Sequence, residues 1–200
     1  MRYDLAIVAR MIGHGQNVLD LGCGDGELLE TVIRDQGCRG VGVETDPEDF
    51  HACITRGVPV TQGDLEKELP ATATGAYDVA VLSLTLQAVR RPDRVLKEMA
   101  RVAPRLVVSL PNFGQWRLRA SLALRGRMPV TPLLPYEWYD TPNIHLCTLA
   151  DFESLIEDLG IRVRERILLD AEGRQPGPAA RVAPNLLAEG AIYSLESPNR

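Results

Sequence analysis

Residues 18–29 read VLDLGCGDGELL. A short apolar run enters three alternating glycines, Gly22, Gly24 and Gly26, and a run of helical character leaves them. Glycine permits the tight turn and lets a ligand come close to the main chain. Free N–H groups at the start of the following helix favour a carboxylate or another anion. The spacing is not the dinucleotide fingerprint G-x-G-x-x-G, because Glu27 stands where the third glycine belongs. No P-loop lysine follows. Asp20 before the loop and Asp25 within it would repel a pyrophosphate but tolerate a positively charged ligand.

S-adenosylmethionine has those properties: an amine, a sulfonium, a carboxylate, a ribose, an adenine and no phosphate. Its product S-adenosylhomocysteine keeps all of these groups except the sulfonium. Glu44 ends the next apolar run, VGVE, where a carboxylate accepts from both ribose hydroxyls. Asp64, in QGDL, is placed to accept from the adenine amino group, or else to cap a helix. The expected cofactor-binding set is therefore Asp20, Gly22, Cys23, Gly24, Asp25, Gly26, Glu44, Thr45, Gly63, Asp64, Leu65 and Ser83.

Beyond this loop, short β-type runs alternate with amphipathic stretches. Strands are expected at 17–21, 40–44, 59–62, 77–83, 106–110, 161–169 and 191–195. Helices are expected at 4–12, 27–36, 47–56, 92–102 and 149–159. The alternation predicts an α/β fold, a parallel sheet with helices on both faces. The last two strands have only a Gly- and Pro-rich loop between them, so they pair antiparallel at one edge. Asp46 followed by Pro47, and Thr148 with Asp151 three residues on, are helix-start signals. Residues 111–147 break the pattern with Pro, aromatic and Arg residues, as a lid or recognition surface does. The whole chain, 1–200, is expected to be one domain carrying that insertion.

Of the 200 residues, 45% are apolar, enough for a proper core. Lys plus Arg is 22 against 27 Asp plus Glu, a formal charge of −5, which argues against a generally basic nucleic-acid binder. No apolar stretch approaches the roughly 18 residues needed to span a bilayer. Asp4 and Arg10 leave no room for an apolar signal core, so a soluble, cytoplasmic protein is expected. The four cysteines, Cys23, Cys38, Cys53 and Cys147, show no C-x-x-C pair and no zinc-ligand spacing, so they are read as buried reduced thiols and no metal is expected.

The loop, Glu44 and Asp64 resemble the nucleotide-site motifs of class I S-adenosylmethionine-dependent methyltransferases over about residues 15–110. That resemblance implies a Rossmann-like, seven-stranded, mostly parallel sheet with the last strand antiparallel. A narrower resemblance covers about residues 1–170. VLDLGCGDGELL, LTLQAVRRPDRVLKEMARV, SLPNFGQWR, GRMPVT and YEWYDTPNIHLCT together resemble the MetW family of methionine biosynthesis proteins. It implies a role beside a homoserine O-acyltransferase of the α/β-hydrolase type, acetyl or succinyl; from the acidic balance and short apolar runs, neither a membrane nor a nucleic acid is expected as a partner. It does not by itself imply methyl transfer.

Methyl transfer needs alignment and sometimes a base. The acceptor belongs at the ends of the fourth and fifth strands, among Thr85, Gln87 and Asn112, with Tyr139 on the insertion. Gln87 cannot act as a base. His145, oriented by Asp140, is the base candidate; its other reading is a structural histidine. Two functions follow. One is a ligand-binding accessory protein that supports or regulates the acyltransferase. The other is an active methyltransferase acting on a small molecule. The Arg-bearing stretch GQWRLRASLALRGRM, 114–128, reads as a solvated helix face, a protein-docking surface, or an RNA or membrane contact.

Overall fold

The computed structural model describes residues 3–198. Its seven strands are β1 (Asn17–Leu21), β2 (Arg39–Glu44), β3 (Val60–Gln62), β4 (Val79–Ser83), β5 (Arg105–Pro111), β6 (Arg162–Leu169) and β7 (Gly190–Glu196). They form one sheet in the order β3-β2-β1-β4-β5-β7-β6. Neighbours from β3 to β5 are parallel; β7 runs antiparallel to both β5 and β6. The reversed strand therefore lies one place in from the edge. The 162–169 strand takes the outside, where its first five residues stay exposed.

Side chains alternate across the sheet and feed two cores. Val79 and Val81 pack with α1 (Tyr3–Ile12) and α2 (Glu27–Gln36). Ala80 and Leu82 pack with α4 (Leu65–Ala71), α5 (Pro92–Val102) and α7 (Leu149–Asp158). Helix α5 shows the pattern at its simplest: Val95, Leu96, Met99 and Val102 recur at three- and four-residue steps and are all buried.

Helix starts follow local chemistry. Between them, α3 (Pro47–Thr55) is capped by Asp46, whose carboxylate accepts from the N–H groups of Glu48 and Asp49. For α7, Thr148 and Asp151 bond reciprocally in a capping box. Four helices were not expected. Helix α4 is short and contains Pro70, so it lacks a readable period. Within the 111–147 stretch, α6 (Trp116–Arg125) starts on Gln115, whose side chain accepts from Arg117 and Leu118, and stops at left-handed Gly126. The Gly- and Pro-rich connection before β7 holds two single-turn helices, α8 (Ala179–Val182) and α9 (Pro184–Leu187). No helix among the described residues is long and apolar enough to cross a membrane.

Candidate functional site

The chain runs outward from β1 to β3, then returns to place β4 on the other side of β1. Where strand order reverses, the connections diverge and leave a crevice at the carboxyl ends of the strands. A cleft of about 1330 Å³ opens there, more than a single small ligand needs.

The glycine loop forms its floor. Gly22 has φ +70°, and a Cβ there would sit 2.7 Å from Thr85 Oγ1. The loop and the end of β4 are thus in direct contact. Gly24 has φ +55°, and a Cβ would meet open space. Its N–H donates to Glu44 Oε2 at 2.8 Å. Cys23 and Cys53 hold the loop from behind, with their sulfurs 3.8 Å apart and the Cys53 thiol donating to Gly24 O at 3.1 Å. Burial, then the charge of Asp20, pushes the Cys23 thiol well up, so it packs as a neutral group. All four cysteines are free; Cys38 and Cys53 are buried, while Cys23 and Cys147 are half-buried.

Carboxylates dominate the walls. Glu44 Oε1 accepts from the N–H groups of Thr45 and Asp46 at 2.7 and 2.9 Å. With the bond from Gly24, Oε1 is saturated and Oε2 keeps one acceptor position. Asp20 is 2% exposed, and its Oδ1 has no hydrogen-bond partner. Burial first, and Glu44 second, raise its carboxyl to about 7. Asp25 pairs with Arg56 at 2.7 Å. Asp64 lines the cleft, and its Oδ1 caps α4 by accepting from Glu66 N at 3.0 Å. Ten residues lining the cleft are Asp or Glu, and one, Arg90, is a cation.

The far wall is the end of β4 and the turn after it. Ser83, Thr85 and Gln87 line the cleft, as do Thr45, Gly63 and Leu65 on the near side. Leu84 has φ +52°, alone among the described non-glycine residues in the left-handed region. It is held there by its N–H, which donates to both Ser109 O and Ser109 Oγ at 3.0 Å. Such strain persists where surroundings over-determine it, commonly at ligand sites. Gln87 is 4% exposed; its Nε2 donates to Leu84 O, while Oε1 has no partner. Its carbonyl accepts from Ile144 N and His145 N at 2.9 and 3.0 Å. The 132–143 part of the insertion roofs the cleft through Leu133, Tyr136 and Pro142.

Four expected site residues stand outside the cleft lining. Gly26, at φ +81°, precedes α2, and a Cβ there would strike Cys53 Sγ at 2.9 Å. Asn112 is fully buried and ties β5 to the later chain, donating to Asn185 O and Ala188 O while accepting from Gly114 N and Leu149 N. A side chain bonded to four main-chain groups braces the end of β5 against the later chain. Tyr139 is 71% exposed and meets Trp138 edge to face; Tyr136 is the tyrosine at the cleft. His145 sits with Nε2 3.3 Å from Arg90 O, and Asp140 bonds through its N–H to Glu137 O. Conversely, six acids outside the expected set line the cleft: Asp4, Glu27, Asp46, Asp49, Glu66 and Glu172. For Asp46, Asp49 and Glu66 the signal was the density of acids in TDPED and DLEKE just past β2 and β3, which reads equally as helix capping; Asp4, in α1, carried no such signal.

A glycine floor, an unpartnered buried carboxylate and acidic walls suit a ligand with positive charge and no phosphate.

The family model described as "Methionine biosynthesis protein MetW" matches residues 2–195. The bifunctional methionine biosynthesis protein MetXA/MetW of Rhodopirellula baltica is 34% identical over 211 residues, covering 100% of this chain and 33% of that protein. The chain thus spans about a third of the length of that curated relative. Among solved structures, a SAM-dependent methyltransferase from Archaeoglobus fulgidus superposes with TM-score 0.71 at 15% identity, covering 96% of this chain and 90% of that one. The [4+2]-cyclase SpnF superposes with TM-score 0.68 at 19% identity, covering 97% and 80%. At these identities the likeness is one of fold. Neighbours named for different chemistries share it, so the fold leaves the reaction open.

Proposed function

The chain belongs to the MetW family of methionine biosynthesis proteins, and from that premise we propose that it binds S-adenosylmethionine in the acidic cleft and supports or regulates a homoserine O-acyltransferase. The observation that carries the ligand is the charge of the cleft, ten acids against one arginine, around a glycine loop. That field favours a sulfonium and an ammonium and opposes any phosphate. Asp20 Oδ1 is an orphaned acceptor for positive charge, and Glu44 Oε2 keeps an acceptor position for a ribose hydroxyl. Asp64 is the acceptor offered to the adenine edge. When bound, the ligand supplies an electrophilic methyl group, and its own concentration is a signal of methionine supply.

Support for the partner comes from the relative's name, which joins MetXA and MetW in one bifunctional protein. Support for an accessory role comes from Gln87, which has no basic function, and from His145, which lies outside the cleft lining. Gln87 also ties the cleft wall to the 144–145 main chain, so an occupied cleft stabilises one arrangement of the insertion.

The test is co-purification with the acyltransferase, and assay of its rate, with and without added S-adenosylmethionine. A stable complex and a ligand-dependent change in rate are expected. No association and no effect of ligand would overturn the reading. Transfer of labelled methyl to a metabolite would replace the accessory role with an enzymatic one.

A further inference from the structure

Helix α6 projects an apolar stripe that its own fold leaves uncovered. With about 3.6 residues per turn, Trp116, Ala120, Ala123 and Leu124 share one face. Leu118, the one buried residue of this helix, lies on the opposite face and anchors it to the body. Leu124 is 85% exposed and Trp116 45%. An exposed apolar stripe opposite a buried anchor marks a contact surface. Arg117 and Arg119 flank the stripe, Arg125 ends the helix and Arg127 follows it. Arg117 lies over the Trp116 ring at 5.5 Å, and Arg125 and Arg127 have no ion pair among the described residues. No acid occurs between Glu98 and Glu137, in a chain whose net charge is −5.

We propose that this face of α6 docks into an apolar, carboxylate-rimmed groove on a second protein, the acyltransferase of the reading above, on which the proposal rests. Helix-in-groove recognition uses such a spaced apolar face, and flanking arginines select an acidic rim. The arginines along this face, with no acid between Glu98 and Glu137, are one argument, since they call for an acidic partner surface. The other is that the Rhodopirellula baltica relative carries two-thirds of its length beyond the matched region, under a bifunctional name. An anionic bilayer is the weaker occupant: two of the four stripe residues are alanines, and the chain as a whole is repelled by anionic surfaces.

The experiment measures binding of the full chain to purified homoserine O-acyltransferase, for the unaltered protein and for Leu124→Glu and Arg125→Glu. Both positions are exposed, and thermal melting verifies that each variant folds. Each substitution is expected to weaken binding at least tenfold, and raising NaCl from 50 to 500 mM is expected to weaken the unaltered complex. Equal binding by the unaltered protein and Leu124→Glu overturns the assignment of this face while leaving the partner reading intact. Failure of the unaltered protein to bind overturns the partner reading itself. Leu124-dependent binding to phosphatidylglycerol vesicles, or Leu124-dependent self-association, with acyltransferase binding unaffected, assigns the face to another occupant and also overturns the proposal.

Discussion

Asp20 concentrates the chemistry of the cleft in one side chain. It lies on β1 with Gly42 and Val81 as its neighbours across the sheet, buried and with one oxygen unpartnered. Its carboxyl, raised to about 7, keeps a proton that the unfolded chain releases near the ordinary carboxylate range. Between roughly pH 4 and pH 7 the folded state therefore binds more protons, and stability falls as pH rises across that window. Asp20→Asn removes the titration. Thermal melting at several pH values should show the native midpoint declining from pH 5 to pH 8 and the variant's declining less. Ligand binding runs the other way. Positive charge placed beside Asp20 favours its ionised form, so affinity for S-adenosylmethionine should rise several-fold from pH 6 to pH 7.5 in the native protein, and this rise should be blunted in Asp20→Asn. A pH-independent affinity in the native protein would separate Asp20 from the ligand.

Among elements, the loop joining β1 to α2 is the most demanding. A side chain at Gly24 meets no neighbour, so its cost is the left-handed backbone, roughly 1–2 kcal/mol for a residue with a Cβ. In a chain of this size that lowers the melting midpoint by a few degrees. Gly24→Ala is expected to show that small shift in calorimetric melting together with at least a tenfold loss of S-adenosylmethionine affinity. Full affinity in a folded variant would mean that ligand does not approach this main chain. The same loop explains what was readable in advance. Strand β1 and helices α2 and α5 fall where glycine, proline and period place them, since each carries its own start signal. Helix α4 was missed because Asp64, its cap, also reads as a ligand acid, and Pro70 interrupts its pattern. Helix α6 was missed because its apolar residues serve two opposite faces and show no single stripe. Asn112 and His145 lie outside the cleft lining, which their positions in the chain did not show. For Asn112, position past the end of β5 does not reveal whether the side chain turns to the cleft or to the main chain behind it, and for His145, position in an irregular segment carries no period that would fix its direction.

For the whole molecule, topology does what no single residue can. Reversal of strand order beside β1 opens the cleft, the two cores hold its walls, and the 111–147 insertion adds both the roof and the arginine-bearing helix. The cleft and that insertion are joined through Gln87, whose side chain fixes the turn after β4 and whose carbonyl holds residues 144 and 145. The proposed ligand lies in the cleft and the proposed docking face on a helix of the insertion, whose later part also lines the cleft, an arrangement suited to sensing methionine supply. Everything depends on the identity of the cleft's occupant. Calorimetric titration of the purified chain with S-adenosylmethionine, and separately with NAD, addresses that identity. Saturable binding at one site per chain, displaced by S-adenosylhomocysteine and absent for NAD, is the expected result. No heat with S-adenosylmethionine, or equal binding of the pyrophosphate-bearing dinucleotide, contradicts it.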